Sequence, residues 1–376
     1  MTRLATWLGF LALGCVAFSR QLAADAPKAP KSNFEETRVE KAMRRRNLCP
    51  AKPNGEPVDF IEIVNEPVFV ADEPFFTWPN ALHWETQRFV IAREVLLDQG
   101  SPYSIALADE TERNLRSLGI FSLARVVPVK RCGSPEGALG ALVYTRDLWT
   151  LRLETDFQVT GSQVDVFILQ LTERSLFGRH HQGAVRFDLE PDAYEPSVSY
   201  RARRIQGLDL QASAGGSVIF RRGGDMEGGA FSAQIGQPFY RLGQHWGWGL
   251  SGGFRTEVER QIQNGNVLTY DIPETAEVEA IDRVWRQTTP SLSLSAAYRH
   301  GTAFKQQFDV GARYVERRVD GSVATREPAE LAALQRDILP PERREVGPTI
   351  SYTGFTPDYV GFTNLDTYGQ TEVVRR

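Results

Sequence analysis

From Leu148 to Thr160 the sequence alternates between apolar and polar residues with a period of two. Because successive side chains of a β-strand point to opposite faces, this segment predicts a strand with one apolar and one charged face. The apolar positions include Trp149, Leu151, Leu153, Phe157 and Val159. The same alternation returns in five later segments, which begin at Val185, Leu208, Trp246, Leu292 and Phe308. The pattern therefore predicts long strands throughout the second half of the chain.

Two architectures accommodate such strands: a soluble β-sandwich and a transmembrane β-barrel. Strands of a sandwich are typically about five or six residues long, and these alternating runs are longer. The mature sequence contains no apolar run of about 18 residues, the length expected of a membrane-spanning helix, whereas barrel strands give a weak hydropathy signal. The runs favour an antiparallel transmembrane β-barrel. A net charge of -4 gives no indication of nucleic-acid binding.

The N-terminal part predicts export from the cytoplasm. Residues 1–24 have a basic start at Arg3, a short apolar core and small residues at its end, which is the pattern of a signal peptide. Cys15 follows Gly14 in a weak lipoprotein-like context, and it also fits as part of the apolar core. Residues 25–57 are rich in Pro, Lys, Glu and Arg and predict a disordered linker, with room for one short helix at 35–46.

Residues 58–146 predict a separate α+β domain. A strand starts at Phe60, and helical spacing follows from Glu85 to Gln99, where Gly100 ends it. Ser104 predicts the cap of a second helix that ends before Gly119. Two further strands flank a turn after Cys132. The predicted order is β-α-α-β-β.

Parts of this sequence resemble a known family. The segments Ile91–Leu96 and Glu110–Phe121 resemble a POTRA (polypeptide-transport-associated) domain, and Leu169–Gly178 resembles the second barrel strand and first periplasmic turn of outer-membrane assembly and secretion barrels. The superfamily is the BamA/TamA type, also called bacterial surface antigens. Ser175 stands where the family usually has Asn. The resemblance implies a POTRA domain followed by a transmembrane barrel at 147–376.

The sequence departs from the family in its last part. No Arg-Gly-aromatic motif occurs, the chain ends on Val373, Val374, Arg375 and Arg376, and about ten to twelve strands are expected where the family has sixteen. We therefore expect a C-terminally truncated barrel. The alternative is a smaller barrel without the lumenal loop.

The resemblance implies a client-binding edge and a disulfide. An extended client segment can pair with an open strand edge through main-chain hydrogen bonds, and the predicted edge lies at Phe121–Arg131. Its candidate residues are Phe121, Arg125, Val127, Val129 and Arg131. The alternative is that its charges only protect the edge from aggregation. The implied topology brings Cys49 and Cys132 to one end of the sheet, so we expect them to pair in an oxidising compartment.

The polar faces of the predicted strands are candidates for a barrel lumen. The candidate lumen-lining residues are Arg152, Glu154, Asp156, Arg186, Asp188 and Arg255. Their mixed sign indicates a hydrated, cross-linked wall and no strong ion selectivity. Gly-rich segments around Gly249 match enzyme motifs only formally, because alternation continues where those motifs require a helix.

The sequence predicts a non-enzymatic outer-membrane protein without a cofactor or a metal. Its partners would be unfolded outer-membrane or secreted client proteins and the lipid bilayer, with the POTRA domain in the periplasm. The alternative is a passive porin-like or structural barrel whose N-terminal domain docks another envelope protein.

Overall fold

The computed structural model describes residues 33–70, 80, 83–133, 138–160, 163–264, 266–272, 280–363 and 371–375. The predicted signal peptide and Cys15 lie outside these ranges. The first unit is a four-stranded sheet with helices on both faces. Its elements are α1 (Asn33–Arg45), β1 (Leu48–Pro50), β2 (Phe60–Glu66), α2 (Arg88–Ala92), α3 (Ile105–Ser117), β3 (Phe121–Arg131) and β4 (Leu139–Asp147).

From β2 onward this unit has the predicted β-α-α-β-β order. The strand order is β1-β3-β4-β2, with β2 parallel to β4 and the other pairs antiparallel. The helix α3 begins where predicted, since the Ser104 hydroxyl accepts a hydrogen bond from the Leu107 amide at 3.3 Å. The helix predicted over 85–99 is reduced to the five residues of α2, which bury Val90 and Ile91.

The predicted linker differs from the structure. Its residues 33–50 belong to the domain, which therefore begins before residue 58. They form α1, in agreement with the short helix expected at 35–46, and β1. Val39, Ala42 and Met43 of α1 pack against Val64, Leu142 and Tyr144 on the sheet face opposite α2 and α3. Because these three residues occupy positions i, i+3 and i+4, they lie on one side of the helix. This small apolar surface holds an otherwise charged segment on the sheet. We call residues 33–50 the strap.

The second unit is a ten-stranded antiparallel sheet in nearly sequential order. Its strands are β5 (Leu151–Thr160), β6 (Gln163–Leu176), β7 (His181–Leu189), β8 (Ala193–Arg203), β9 (Gln211–Arg221), β10 (Met226–Gln237), β11 (Trp246–Arg260), β16 (Val284–His300), β17 (Lys305–Asp320) and β18 (Arg343–Phe355). Among the described residues β5 and β18 are the two edges of this sheet and do not pair with each other. The predicted barrel, which was expected to be truncated, is thus present among the described residues as an open ten-stranded sheet.

The connections at the two ends of this sheet differ in length. At the end next to the first unit they are short, at 177–180, 204–210, 238–245 and 301–304. The opposite end has short turns at 190–192 and 222–225 and also carries two long connections. One contains β12 (Ile262–Gln263), β13 (Asn266–Val267), β14 (Thr269–Asp271) and β15 (Ala280–Asp282), and the other contains α4 (Pro328–Asp337). A last hairpin, β19 (Tyr359–Thr363) with β20 (Thr371–Arg375), brings β20 beside α3.

Candidate functional site

One face of the ten-stranded sheet is apolar and exposed. A row of directly paired residues crosses eight strands of it: Leu153, Leu171, Val185, Val198, Gly216, Phe231, Phe254 and Pro290. Leu153 is 67% exposed, and Ile350 on β18 is 82% exposed. Water-soluble monomers rarely expose a contiguous apolar surface of this extent. The apolar face therefore requires an apolar environment.

Aromatic residues end this face on the side of the first unit. Trp246, Tyr298, Phe308 and Tyr352 pair in one row across four strands. The ring centroids of Trp246 and Tyr298 lie 4.8 Å apart, and those of Phe308 and Tyr352 lie 5.0 Å apart. Such rows are typical of the interface between lipid and water.

The opposite, polar face carries the six predicted lumen residues. Arg152, Glu154 and Asp156 alternate along β5, and Glu154 accepts a hydrogen bond from Gln170 at 3.3 Å. Arg186 binds Asp188 at 2.6 Å. These contacts between neighbouring polar side chains agree with the predicted cross-linked wall.

Arg255 reveals the curvature of the sheet. Its guanidinium binds Glu195 at 2.8 Å, although β9 and β10 lie between the two strands. In a flat sheet strands separated by two others are about 14 Å apart, too far for side chains that stand perpendicular to the sheet. The small residues Ser217 and Ala230 lie in register below the contact. The contact thus indicates that the polar face is the concave one.

The first unit docks on the turn after β6, through the segment that resembles the family's turn motif. Glu173 is buried and its Oε1 accepts hydrogen bonds from the Thr150 hydroxyl at 2.5 Å and the Ser175 amide at 2.7 Å. The amide of Gln87 donates to the Gly178 carbonyl at 2.9 Å. We call residues 173–180 the docking turn.

Gly178 permits this close approach. Its φ is +67°, and a Cβ there would lie only 2.1 Å from the carbonyl oxygen of Glu85. The rings of Phe177 and Trp84 contact each other at a tilt of 55°, with centroids 5.2 Å apart. The Leu-Phe-Gly sequence of the docking turn therefore has a physical role, because it forms the contact surface for the first unit.

A buried ion pair forms a second link between the units. The Arg204 guanidinium donates to Glu94 at 3.0 Å, with both side chains 3% exposed. Arg204 also donates to the Arg93 carbonyl at 3.0 Å and stacks on Tyr240 at 4.7 Å. Burial raises the pKa of Glu94, and the nearby Arg204 and Arg93 oppose that shift.

His180 lies at the centre of the junction. Its Nε2 is 3.1 Å from the Leu118 carbonyl oxygen and its Nδ1 is 3.4 Å from the Arg93 guanidinium. A neutral ring with its proton on Nε2 satisfies both contacts. Burial, together with the positive charges of Arg203 and Arg93, lowers the pKa of His180 to about 3.

The predicted client edge on β3 is largely covered. Leu48 to Pro50 of the strap pair with Arg131, Lys130 and Val129, and Pro128 offers no amide donor. The Val126 amide donates to Glu112, and Arg125 forms an ion pair with the same carboxylate at 3.3 Å. Phe121 and Ala124 are buried, and Val127 is half-buried. Of the candidates, Val129 and Arg131 are therefore already paired, and Arg125 belongs to the contacts that guard the edge.

Cys49 and Cys132 form a disulfide that fixes the strap. Their Cα atoms are 5.2 Å apart, and the bond joins positions separated by 83 residues. The Cys132 amide also donates to the Asn47 carbonyl at 2.9 Å. The disulfide thus holds β1 on the edge of β3.

Sequence reasoning identified the two faces and the docking turn but not the contacts at the junction. Glu94 and Arg204 carry no local signal, because their pairing depends on how the two units meet. Within the described ranges no helix has the length and apolar content needed to cross a membrane, and no cluster of three or more His, Cys, Asp or Glu residues could hold a metal ion.

Comparison with known proteins gives matches to solved structures alone. No family model and no curated protein matches the sequence. BamA from Haemophilus ducreyi lacking POTRA domains 1–3 is 11% identical with a TM-score of 0.40, and the match covers 76% of this chain and 60% of that one. CdiB from Acinetobacter baumannii is 10% identical with a TM-score of 0.36, over 70% and 49% of the two chains.

The chain thus spans 60% of the matched BamA structure and about half of CdiB. At these identities and TM-scores the likeness transfers no property to this chain, and the class of the molecule follows from its own geometry: a curved antiparallel sheet with an apolar outer and a polar inner face, attached to an α+β domain.

Proposed function

We propose that this chain is an outer-membrane protein that assembles or translocates client polypeptides. The α+β domain is a periplasmic POTRA domain in this proposal, and the ten-stranded sheet is part of a transmembrane barrel wall. The observation that carries the proposal is the exposed apolar face opposite a polar concave face. Unpaired backbone groups are costly in lipid, so sheets cross membranes as closed barrels. In this proposal the edge strands β5 and β18, which do not pair with each other among the described residues, form part of such a closed wall.

The lengths of the connections between strands support an orientation in which the end of the sheet next to the domain faces the periplasm. Outer-membrane barrels have short periplasmic turns and longer extracellular loops. The domain lies at the end with the short turns, and the loops with β12–β15 and α4 lie at the other end. This arrangement places the docking turn at the periplasmic mouth of the polar face.

The proposal includes no cofactor and no bond-making step. Client folding and the burial of apolar client surface would provide the driving force. The partners are unfolded outer-membrane or secreted proteins and the bilayer.

The covered β3 edge favours a second candidate function. A domain whose strand edge is partly occupied is also suited to a passive porin-like or structural barrel, in which the domain docks another envelope protein. Under the first function, a client segment would use the part of the edge at 121–127 or displace the strap.

Deletion of residues 33–147 distinguishes the two functions, provided that the sheet still inserts into the outer membrane. Assembly or secretion of client proteins is then compared with wild type by surface proteomics, and permeability to small solutes is measured in parallel. Loss of clients at unchanged permeability supports the transport function. Unchanged client levels would contradict it and favour the passive barrel.

A further inference from the structure

A polar cavity of about 400 Å³ lies where the first unit meets the concave face. The end of α3 forms one wall, and β5 to β8 form the other. The charged residues that line it are Arg174, Arg201, Arg203 and Glu154. Gln170, Thr172 and Gln182 add neutral hydrogen-bonding groups. We call it the basic cavity.

The charges of the basic cavity do not balance. Three guanidinium groups face one carboxylate, and Glu154 already accepts a hydrogen bond from Gln170. The C-terminal end of α3, at Ser117 and Leu118, adds about half a negative charge. Arg174 has further contacts and is left out of the sum. Arg201 and Arg203 alone exceed Glu154 and the helix end by about half a positive charge. Arginine side chains grouped in this way bind carboxylate and phosphate groups well.

The position of the cavity limits which anions can reach it. It opens on the concave polar face, whereas acyl chains would contact the opposite, apolar face. An anionic lipid headgroup would have to leave the bilayer to enter it. A polypeptide that passes between the domain and the polar face would instead move directly over Arg201 and Arg203.

We propose that the basic cavity binds acidic segments of client polypeptides at the periplasmic mouth of the barrel. This inference rests on the proposed function for the polypeptide class of its ligand. Arg201 and Arg203 provide the binding charges, and Arg174 beside Gly119 completes the positive wall. The cavity thereby gives the entrance a preference for carboxylate-rich segments that the mixed charges deeper along the wall do not provide.

The test uses the full-length protein in detergent and two fluorescent peptides with blocked ends. One peptide carries three Glu residues between Gly-Ser spacers, and the other carries Gln at the same positions. We expect the Glu peptide to bind at least about tenfold more tightly, because hydrogen bonds to charged groups are the stronger ones. The preference should decrease as salt is added.

Two double variants distinguish binding in the basic cavity from attraction by the overall charge of the protein. R201Q/R203Q should remove the preference for the Glu peptide. R221Q/R222Q removes the same charge at the opposite end of the sheet and should leave the preference unchanged. Because Arg203 lies 3.3 Å from His180, R201Q alone is included, and it should weaken binding of the Glu peptide by about threefold or more without disturbing that contact.

Equal affinity for the two peptides, or equal effects of the two double variants, would overturn the proposal. Binding of inorganic phosphate without a preference between the peptides would assign the cavity to small anions and overturn it as well. The deletion experiment tests the transport function separately from the peptide assay. If clients are unaffected while the Glu peptide is still preferred, the cavity still binds carboxylate-rich segments, but the transport function is contradicted.

Discussion

At the scale of single residues, the junction depends on side chains whose environment allows no substitute. Gly178 combines a positive φ with the close approach of the Glu85 carbonyl, so we expect Gly178→Ala to weaken docking by more than about 1 kcal/mol. The measurement is the rate of protease cleavage between residues 147 and 151 in the folded protein. Gly243→Ala is the matched control, because a Cβ there would contact nothing within 4 Å. Equal cleavage of both variants would contradict the role of Gly178.

His180 makes docking depend on pH. Its pKa is lowered to about 3 when docked, below the ordinary value of 6.5. The docked state therefore binds fewer protons, and its stability is complete above about pH 6.5 and is lost as the pH falls towards 3. At pH 5.5 we expect docking to be weaker by about 1.4 kcal/mol, measured by spin-label distances between the two units.

The comparison with His180→Gln isolates this effect from other titrating groups, which include Glu94 and His181. Glutamine keeps a donor for the Leu118 carbonyl but does not titrate, so this variant should lose the pH dependence between about 7.5 and 5.5. An unchanged pH profile in the variant would exclude His180 as its source.

At the scale of elements, the strands and the short helix of the strap were predictable, whereas the packing of the strap on the domain was not. A period-two pattern such as that from Leu148 to Thr160 directly encodes two faces, so strand and face assignments need no knowledge of the fold. In the strap, Val39, Ala42 and Met43 are few apolar residues among many charges. Their helix is stable because it packs on the sheet, which is a non-local cause that the composition hides.

The same limit explains the client edge. The resemblance implied that β3 is an edge strand, but the sequence gave no sign that β1 pairs with its last residues or that Glu112 accepts from the Val126 amide. Both contacts depend on the placement of elements that are distant in sequence. Closure of the large sheet also lies beyond local patterns, since it depends on which distant strands pair.

The disulfide controls the strap in this account. In the loop-entropy model, a bond that closes about 80 residues stabilises the domain by about 4.5 kcal/mol. We expect Cys49→Ser to lower the stability of the domain accordingly and to increase amide hydrogen exchange at 48, 49 and 129–131. Exchange in β2 should stay slow as long as the domain is folded. Unchanged exchange at 129–131 would mean that β1 stays on the edge without the bond.

At the scale of the whole molecule, the aromatic row and the connections distinguish the two ends of the sheet, and the apolar face distinguishes its two sides. In the proposed arrangement, the apolar face contacts lipid, the aromatic row lies at the periplasmic interface, and the domain covers the mouth of the polar face. The proposed transport function and the proposed roles of the basic cavity and the β3 edge all depend on this arrangement. The lipid exposure of the apolar face is therefore the central claim.

Spin-label accessibility in proteoliposomes tests this claim most directly. Single cysteines replace Val185 and Val198 on the apolar face and Gln170 and Ser197 on the polar face, with Cys15 replaced by Ser and the native disulfide kept. Labels at 185 and 198 should collide with oxygen, which is enriched in lipid, and labels at 170 and 197 with a water-soluble nickel complex. Equal accessibility at all four sites, or the reverse pattern, would contradict the account.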